Sequence, residues 1–166
     1  MSPRGDVEIA PAVEADLGGL VDGFAATAAE GRWIATEAPI DREAYRTKFS
    51  ASIHDPNSLF LVARDDGKVV GQLSLRPGWP GVLDLGMAID EAWRGRGVGS
   101  ALMERAIEWA RATGAHKITL HVYPHNAAAI ALYEKYGFVR EGLFRNQMLR
   151  KNGELWDTIP MGLLLR

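Results

Sequence analysis

Between Ile89 and Ser100 the chain reads Ile89-Asp90-Glu91-Ala92-Trp93-Arg94-Gly95-Arg96-Gly97-Val98-Gly99-Ser100, three glycines at alternate positions beside two arginines. A periodic apolar run follows at once, so the glycines sit at a helix start, where the first N–H groups are unpaired and the macrodipole is positive. Glycine lets phosphate oxygens reach that backbone without a Cβ in the way, and Arg94 and Arg96 add the charge a polyanion needs. Gly95, Arg96, Gly97, Val98, Gly99 and Ser100 are therefore the predicted cradle of a phosphate or pyrophosphate. A tight strand-to-helix turn with exposed arginines is the plain structural alternative. Two nucleotide motifs built on the same device do not fit. The dinucleotide pattern Gly-x-Gly-x-x-Gly begun at Gly95 requires glycine where Ser100 stands, and the next strand, Lys117 to His121, lacks the ribose-binding carboxylate expected ~20 residues on. The P-loop requires Gly-Lys-Ser/Thr, which is absent.

The elements that position this turn follow from periodicity and punctuation. Leu17, Leu20, Val21, Phe24 and Ala28 predict a helix behind an Asp16 N-cap, ending near Gly31, and Tyr45, Phe49 and Ile53 predict a second behind Asp41, closed by Asp55-Pro56-Asn57. Leu59–Arg64 and Lys68–Arg76 flank Asp65-Asp66-Gly67 as a hairpin, and Val82–Ile89 is a third strand. From Val98 a helix carries Leu102, Met103, Ala106, Ile107 and Ala110 on one stripe and stops at Gly114. Lys117–Tyr123 is a strand; Asn126 caps a helix through Tyr136, with Gly137 beyond it. Phe138–Leu149 and Leu155–Leu165 form a closing hairpin about Asn152-Gly153. The order α-α-β-β-β-α-β-α-β-β predicts a mixed α/β sheet in a single domain, residues 1–166, with one parallel unit from Val82 to Tyr123.

The segment after that unit carries a second pattern. With Arg94, Gly97 and Gly99 matching Arg/Gln-x-x-Gly-x-Gly/Ala, and Asn126, Ala129, Leu132, Tyr133, Gly137 and Phe138 matching Asn-x-x-Ala-x-x-Leu-Tyr-x-x-x-Gly-Phe, the chain resembles the GCN5-related N-acetyltransferase (GNAT) superfamily over nearly its whole length. It is similar to the ribosomal-protein acetyltransferase-like and phosphinothricin acetyltransferase-like branches. The resemblance implies an α+β fold: a mostly antiparallel sheet, a central splayed parallel strand pair, and helices on both faces. It also implies acetyl-CoA as cofactor, its pantetheine paired with the backbone of Met87, Ala88 and Ile89, its pyrophosphate at Gly95 to Ser100, and Asn126 and Tyr133 toward the thioester. A backbone donor left free by the splay could polarise the thioester carbonyl.

Acylation of an amine needs a route for a proton out and a donor near the leaving sulfur. The resemblance places the family's acid at Tyr133, a phenol protonated at neutral pH. For the base, His121, Glu37 and Asp84 are the candidates. His121 stands where ribosomal-protein acetyltransferases commonly carry glutamate, Glu37 lies in the loop between the front helices near Trp33, a candidate acceptor wall, and Asp84 lies on the third strand. Each has a bland alternative as an ordinary strand or surface residue. His121 and His125 straddle Pro124, and His54 and His116 are isolated, so no metal site is expected.

Composition narrows the rest. The 166 residues are 47% hydrophobic, with 19 Lys and Arg against 21 Asp and Glu, which excludes disorder and argues against nucleic-acid wrapping or membrane-surface attraction. The chain has no cysteine, and with no Ser-His-acid arrangement either, direct transfer through a ternary complex is expected over an acyl-enzyme. No signal-peptide run in Met1–Pro11 and no apolar stretch of ~20 residues predict a cytoplasmic protein. The resemblance implies that the acceptor is a small-molecule amine or a peptide N-terminus. Strand residues 161–165 can pair with another copy, which makes a homodimer an expectation. A non-catalytic acyl-CoA-binding sensor is the alternative function.

Overall fold

The computed structural model describes residues 7–166; the residues before them, including most of the segment read for a signal peptide, lie outside the described residues. The elements are β1 (Glu8–Pro11), α1 (Leu17–Glu30), α2 (Arg42–His54), β2 (Leu59–Asp65), β3 (Lys68–Pro77), β4 (Val82–Ile89), α3 (Val98–Ala112), β5 (Lys117–Val122), α4 (Ala127–Lys135), β6 (Val139–Arg140), β7 (Phe144–Leu149) and β8 (Leu155–Leu164). They form a sheet in the order β1-β2-β3-β4-β5-β8-β6, with β7 joined to β8. The β4–β5 pair is parallel and the other pairs are antiparallel.

Strand alternation sends side chains to two cores. From β2, Leu59, Leu61 and Ala63 join Leu102, Met103, Ala106, Ile118, Phe138 and Met161 in the core under α3 and α4. Phe60 and Val62 face the opposite way, against Leu17, Leu20, Val21 and Phe49 of α1 and α2. Helices on both faces explain why β2 reads as an unbroken apolar run instead of an alternating one.

The expected caps hold at three helix ends. Asp41 accepts from the Ala44 N–H at 3.0 Å, Asn126 accepts from the Ala129 N–H at 3.3 Å, and Gly31 closes α1 in the left-handed region. Asp16 differs. It makes no cap; its carboxylate accepts from Arg64 Nε at 2.8 Å and Nη2 at 2.6 Å, and from the Val13 N–H. The Arg64 guanidinium holds the Asp16 carboxyl below its ordinary pKa.

Two further expectations are corrected. β1, absent from the sequence reading, pairs with the edge of β2 from Glu8↔Arg64 to Pro11↔Leu61; a strand this short, ending in proline, shows no alternation to read. Phe138–Leu149 is not one strand. Val139 and Arg140 pair with Gly162 and Met161, the chain leaves the ladder at Glu141-Gly142-Leu143, and β7 resumes opposite Leu155–Thr158. Asn146, at φ +51°, then breaks the β7 register, its N–H donating to Asp157 Oδ1 at 2.7 Å.

Candidate active site

β4 and β5 are bonded only from Val82↔Lys117 to Asp84↔Thr119, although both strands continue. β3 follows β4 to Ile89 and β8 follows β5 to Val122, so each strand is held on its outer side while the inner edges of Leu85–Ile89 and Leu120–Val122 diverge. The wedge between them opens into a cavity of about 900 Å³. Met87, Ala88 and Ile89 line one wall, and their inner backbone groups have no strand partner.

At the open end of the wedge stands the N-terminus of α3. Its cap is Gly97, at φ +86°, with no side-chain cap, and the first bond back to it comes from the Ala101 N–H at 3.1 Å. The N–H groups of Val98, Gly99 and Ser100 thus have no acceptor within the helix. A Cβ on Gly95 (φ +73°) or Gly97 would meet nothing within 4 Å, so these glycines serve backbone conformation and leave free space where an anion can approach. Gly99 serves packing: a Cβ there would come within 2.9 Å of Leu132 Cδ2. A free strand edge running into an uncapped helix start fits an extended amide chain that ends in a pyrophosphate.

Gly95, Gly97, Val98, Gly99, Ser100 and Asn126 also line this cavity. The two arginines do not act as the sequence reading had them. Arg94 reaches the cavity, but its Nη1 and Nη2 each donate to Glu30 at 2.6 Å and its Nε donates to the Ile89 carbonyl at 3.1 Å. This fork ties the turn to the end of α1 and engages three of the five guanidinium N–H groups, with Glu30 as the paired anion. The hydrogen bonds from Arg94 also hold Glu30 below its ordinary pKa. Arg96 does not line the cavity; its guanidinium stacks over Trp93 at 4.8 Å.

Tyr133 of α4 lines the cavity and is 7% exposed. Burial alone pushes its phenol up to about 12. His121 projects from β5 into the same cavity, its ring 5.5 Å from Phe144. Asp84 sits where the β4–β5 pairing ends and accepts from Thr119 Oγ1 at 2.6 Å, which orients the carboxylate on the cavity wall. Glu37 is not on that wall. It accepts from the Lys151 N–H at 2.8 Å and lies 3.6 Å from Arg150 Nε, so it is engaged with the β7–β8 hairpin and does not face the wedge. Trp33 does line the cavity, its Nε1–H donating to Glu30 Oε1 at 3.1 Å.

Several residues that build the site escaped the sequence reading. Thr119 and Lys48 carry no motif, and Arg150 precedes a turn, where a charged residue reads as surface. On the side away from α3 the cavity is walled by Phe24 of α1, Tyr45 and Lys48 of α2, Arg76 of β3, and Ile34 to Thr36. Among the described residues no three His, Cys, Asp or Glu side chains gather to hold a metal, and no helix is long and apolar enough to cross a membrane.

Known proteins share this arrangement. The L-amino acid N-acetyltransferase AaaT of Escherichia coli (strain K12) is 44% identical over 109 residues, an alignment that spans 61% of this chain and 65% of that protein. The L-methionine sulfoximine/L-methionine sulfone acetyltransferase of Pseudomonas paraeruginosa is 29% identical over 91% of this chain and 90% of its own length. A crystal structure of a GNAT-family acetyltransferase from Streptococcus pneumoniae superposes with a TM-score of 0.85 at 28% identity, covering 96% of this chain and 99% of that one. Residues 26–138, from α1 to the end of the second motif, match the Acetyltransferase (GNAT) family; the chain belongs to that family and is an acetyltransferase.

Proposed function

We propose that the chain transfers the acetyl group of acetyl-CoA directly to the primary amine of a small, amino-acid-like acceptor. The observation that carries this reading is the wedge between β4 and β5, which ends on the uncapped start of α3. The edge of Met87, Ala88 and Ile89 that faces the wedge, which has no strand partner, would pair with the pantetheine amides, and the N–H groups of Gly97 to Ser100 would hold the pyrophosphate. When bound, acetyl-CoA supplies a thioester whose carbonyl carbon is attacked and whose sulfur leaves.

The acceptor enters from the side of α1 and α2. Lys48 and Arg76 offer cations there for a carboxylate, and the relatives named above act on amino acids and on methionine sulfoximine or sulfone. Asp84 is the proposed proton acceptor for the incoming ammonium, because it faces the cavity and Thr119 holds it. His121 remains a second candidate on the same wall, and Glu37 is set aside. As the new C–N bond forms and the C–S bond breaks, Tyr133 would donate its proton to the departing sulfur, and the second proton lost by the attacking nitrogen would return the phenolate to phenol by way of solvent. Its raised pKa keeps the phenol protonated throughout the neutral range. The whole chain, residues 1–166, is proposed as one cytoplasmic domain. Apolar side chains exposed along β6 to β8, among them Val139, Phe144, Leu149 and Leu164, favour a homodimer through that edge, a state that light scattering measures.

Calorimetric titration with acetyl-CoA, followed by thiol release across a panel of amino acids, amines and peptides, tests the reading. Binding with release on amino acids is the expected result. Release on peptides alone would overturn the acceptor class, and the absence of binding would overturn the wedge as donor site.

A further inference from the structure

The segment 31–38 supplies the cavity wall formed by Trp33, Ile34, Ala35 and Thr36, yet it contains no regular secondary structure to hold it. Distant side chains hold it: His125 Nε2 meets the Arg32 carbonyl at 2.6 Å, Thr36 Oγ1 meets the Tyr45 hydroxyl at 3.0 Å, and Arg150 makes the largest set of bonds. Arg150, at the end of β7, is 2% exposed, and its Nη1 donates to the carbonyls of Ile34 at 3.2 Å and Ala35 at 3.3 Å and to the Tyr123 hydroxyl at 2.9 Å. Its Nη2 donates to the Gly31 carbonyl at 3.2 Å, and its Cζ lies 4.2 Å from the centroid of the Trp156 ring. A guanidinium removed from water is costly unless its donors are satisfied. Here a single carboxylate, Glu37, stands nearby at 3.6 Å, and backbone carbonyls of the segment take most of the fork. Those carbonyls converge on one planar group only when 31–35 adopts this conformation. The neighbouring Lys151 reinforces it, its Nζ donating to the Ala38 carbonyl at 3.0 Å and its N–H to Glu37.

We infer that Arg150 is a positioning residue for acceptor recognition: it sets the 31–38 wall in the conformation that receives the amine, with Glu37 as its counter-ion, and takes no part in holding acetyl-CoA. The inference rests on the reading of that wall as the acceptor side. Preorganised walls act through the geometry of the bound substrate, so their loss appears on the acceptor and not on the donor.

Arg150→Lys keeps the charge and removes the fork, and Glu37→Gln removes the counter-ion while leaving the buried side chain in place. Each variant is compared with the wild-type chain by steady-state kinetics with L-methionine sulfone, by calorimetry with acetyl-CoA, and by hydrogen exchange of the unliganded protein. In Arg150→Lys the acceptor KM should rise about tenfold while the acetyl-CoA Kd stays within about twofold, with a smaller rise in Glu37→Gln. Amides of 31–38 should exchange faster while those of β5 are unchanged. Unchanged exchange across 31–38, or faster exchange in β5 as well, would overturn the inference, the second because it marks general destabilisation. If the wild-type chain releases no thiol with any amine, the proposed acceptor chemistry fails, and the exchange comparison still decides whether Arg150 orders the wall.

Discussion

The two sides of the cavity are built on opposite principles. The proposed donor side comes from one contiguous stretch, β4 through α4, and offers chiefly main-chain groups: a strand edge without a partner, the first N–H groups of a helix, and glycines that leave room. The proposed acceptor side is assembled from α1, α2, the segment 31–38 and β7. Side chains hold it together over long separations, as when Arg150 bonds Ile34 from 116 residues away. Backbone recognition suits a ligand part that never varies, because the peptide group itself offers no choice. Side-chain recognition lets the other wall change with the substrate while the sheet stays the same.

That contrast can be broken at several points. The largest effect is expected for Tyr133→Phe, which should lower kcat about a hundredfold with the acetyl-CoA Kd unchanged, as stopped-flow and calorimetry together can check. Because burial raises its pKa to about 12, Tyr133 should cause no loss of activity as pH rises from 7 to 10; a wild-type decline in that window that Tyr133→Phe abolishes would contradict the raised pKa. Next, Asp84→Asn should cost roughly tenfold or more in kcat/KM at neutral pH, against less than about threefold for Glu37→Gln in kcat. A larger kcat loss for Glu37→Gln, or for His121→Gln, would move the base away from the wedge apex.

On the donor side, Gly97→Val should weaken acetyl-CoA about tenfold by calorimetry and leave the acceptor KM nearly unaltered, because a β-branched residue resists φ +86° at the cradle. The smallest effect on activity is expected at Asp16, which lies on neither wall. Asp16→Asn should destabilise by roughly 2 kcal/mol at pH 7 while leaving kcat/KM intact. The carboxyl is held below its ordinary pKa in the folded state, so its stabilisation is present above the unfolded value near ~4 and lost as pH falls through the folded one. The melting-temperature gap between wild type and variant should therefore close in acid.

How much was legible follows the same division. The α3 start, the Asn126 cap and the succession of strands β2 to β5 along the chain could be read because each depends on local rules: periodicity, capping chemistry and the left-handed preference of glycine. Asp16 misled because a cap and a salt bridge to Arg64 use the same residue type, and only the packing of β2 beside α1 chooses between them. Arg94 misled for a like reason; Glu30, far away in sequence, takes its guanidinium. Glu37 looked catalytic from its place beside Trp33, yet its carboxylate turns to the hairpin that follows β7.

By itself the sequence determined the glycine-rich start of α3 and the strands that lead to it, because their main-chain availability is written in adjacent residues. The tertiary structure alone decided which charges are paired, where β4 and β5 part, and that the buried Arg150 binds the carbonyls of Gly31, Ile34 and Ala35. The physical reason is that an ionic or hydrogen-bonding side chain has no function until its partner is known, and these partners are brought together by the sheet rather than by their neighbours in the chain.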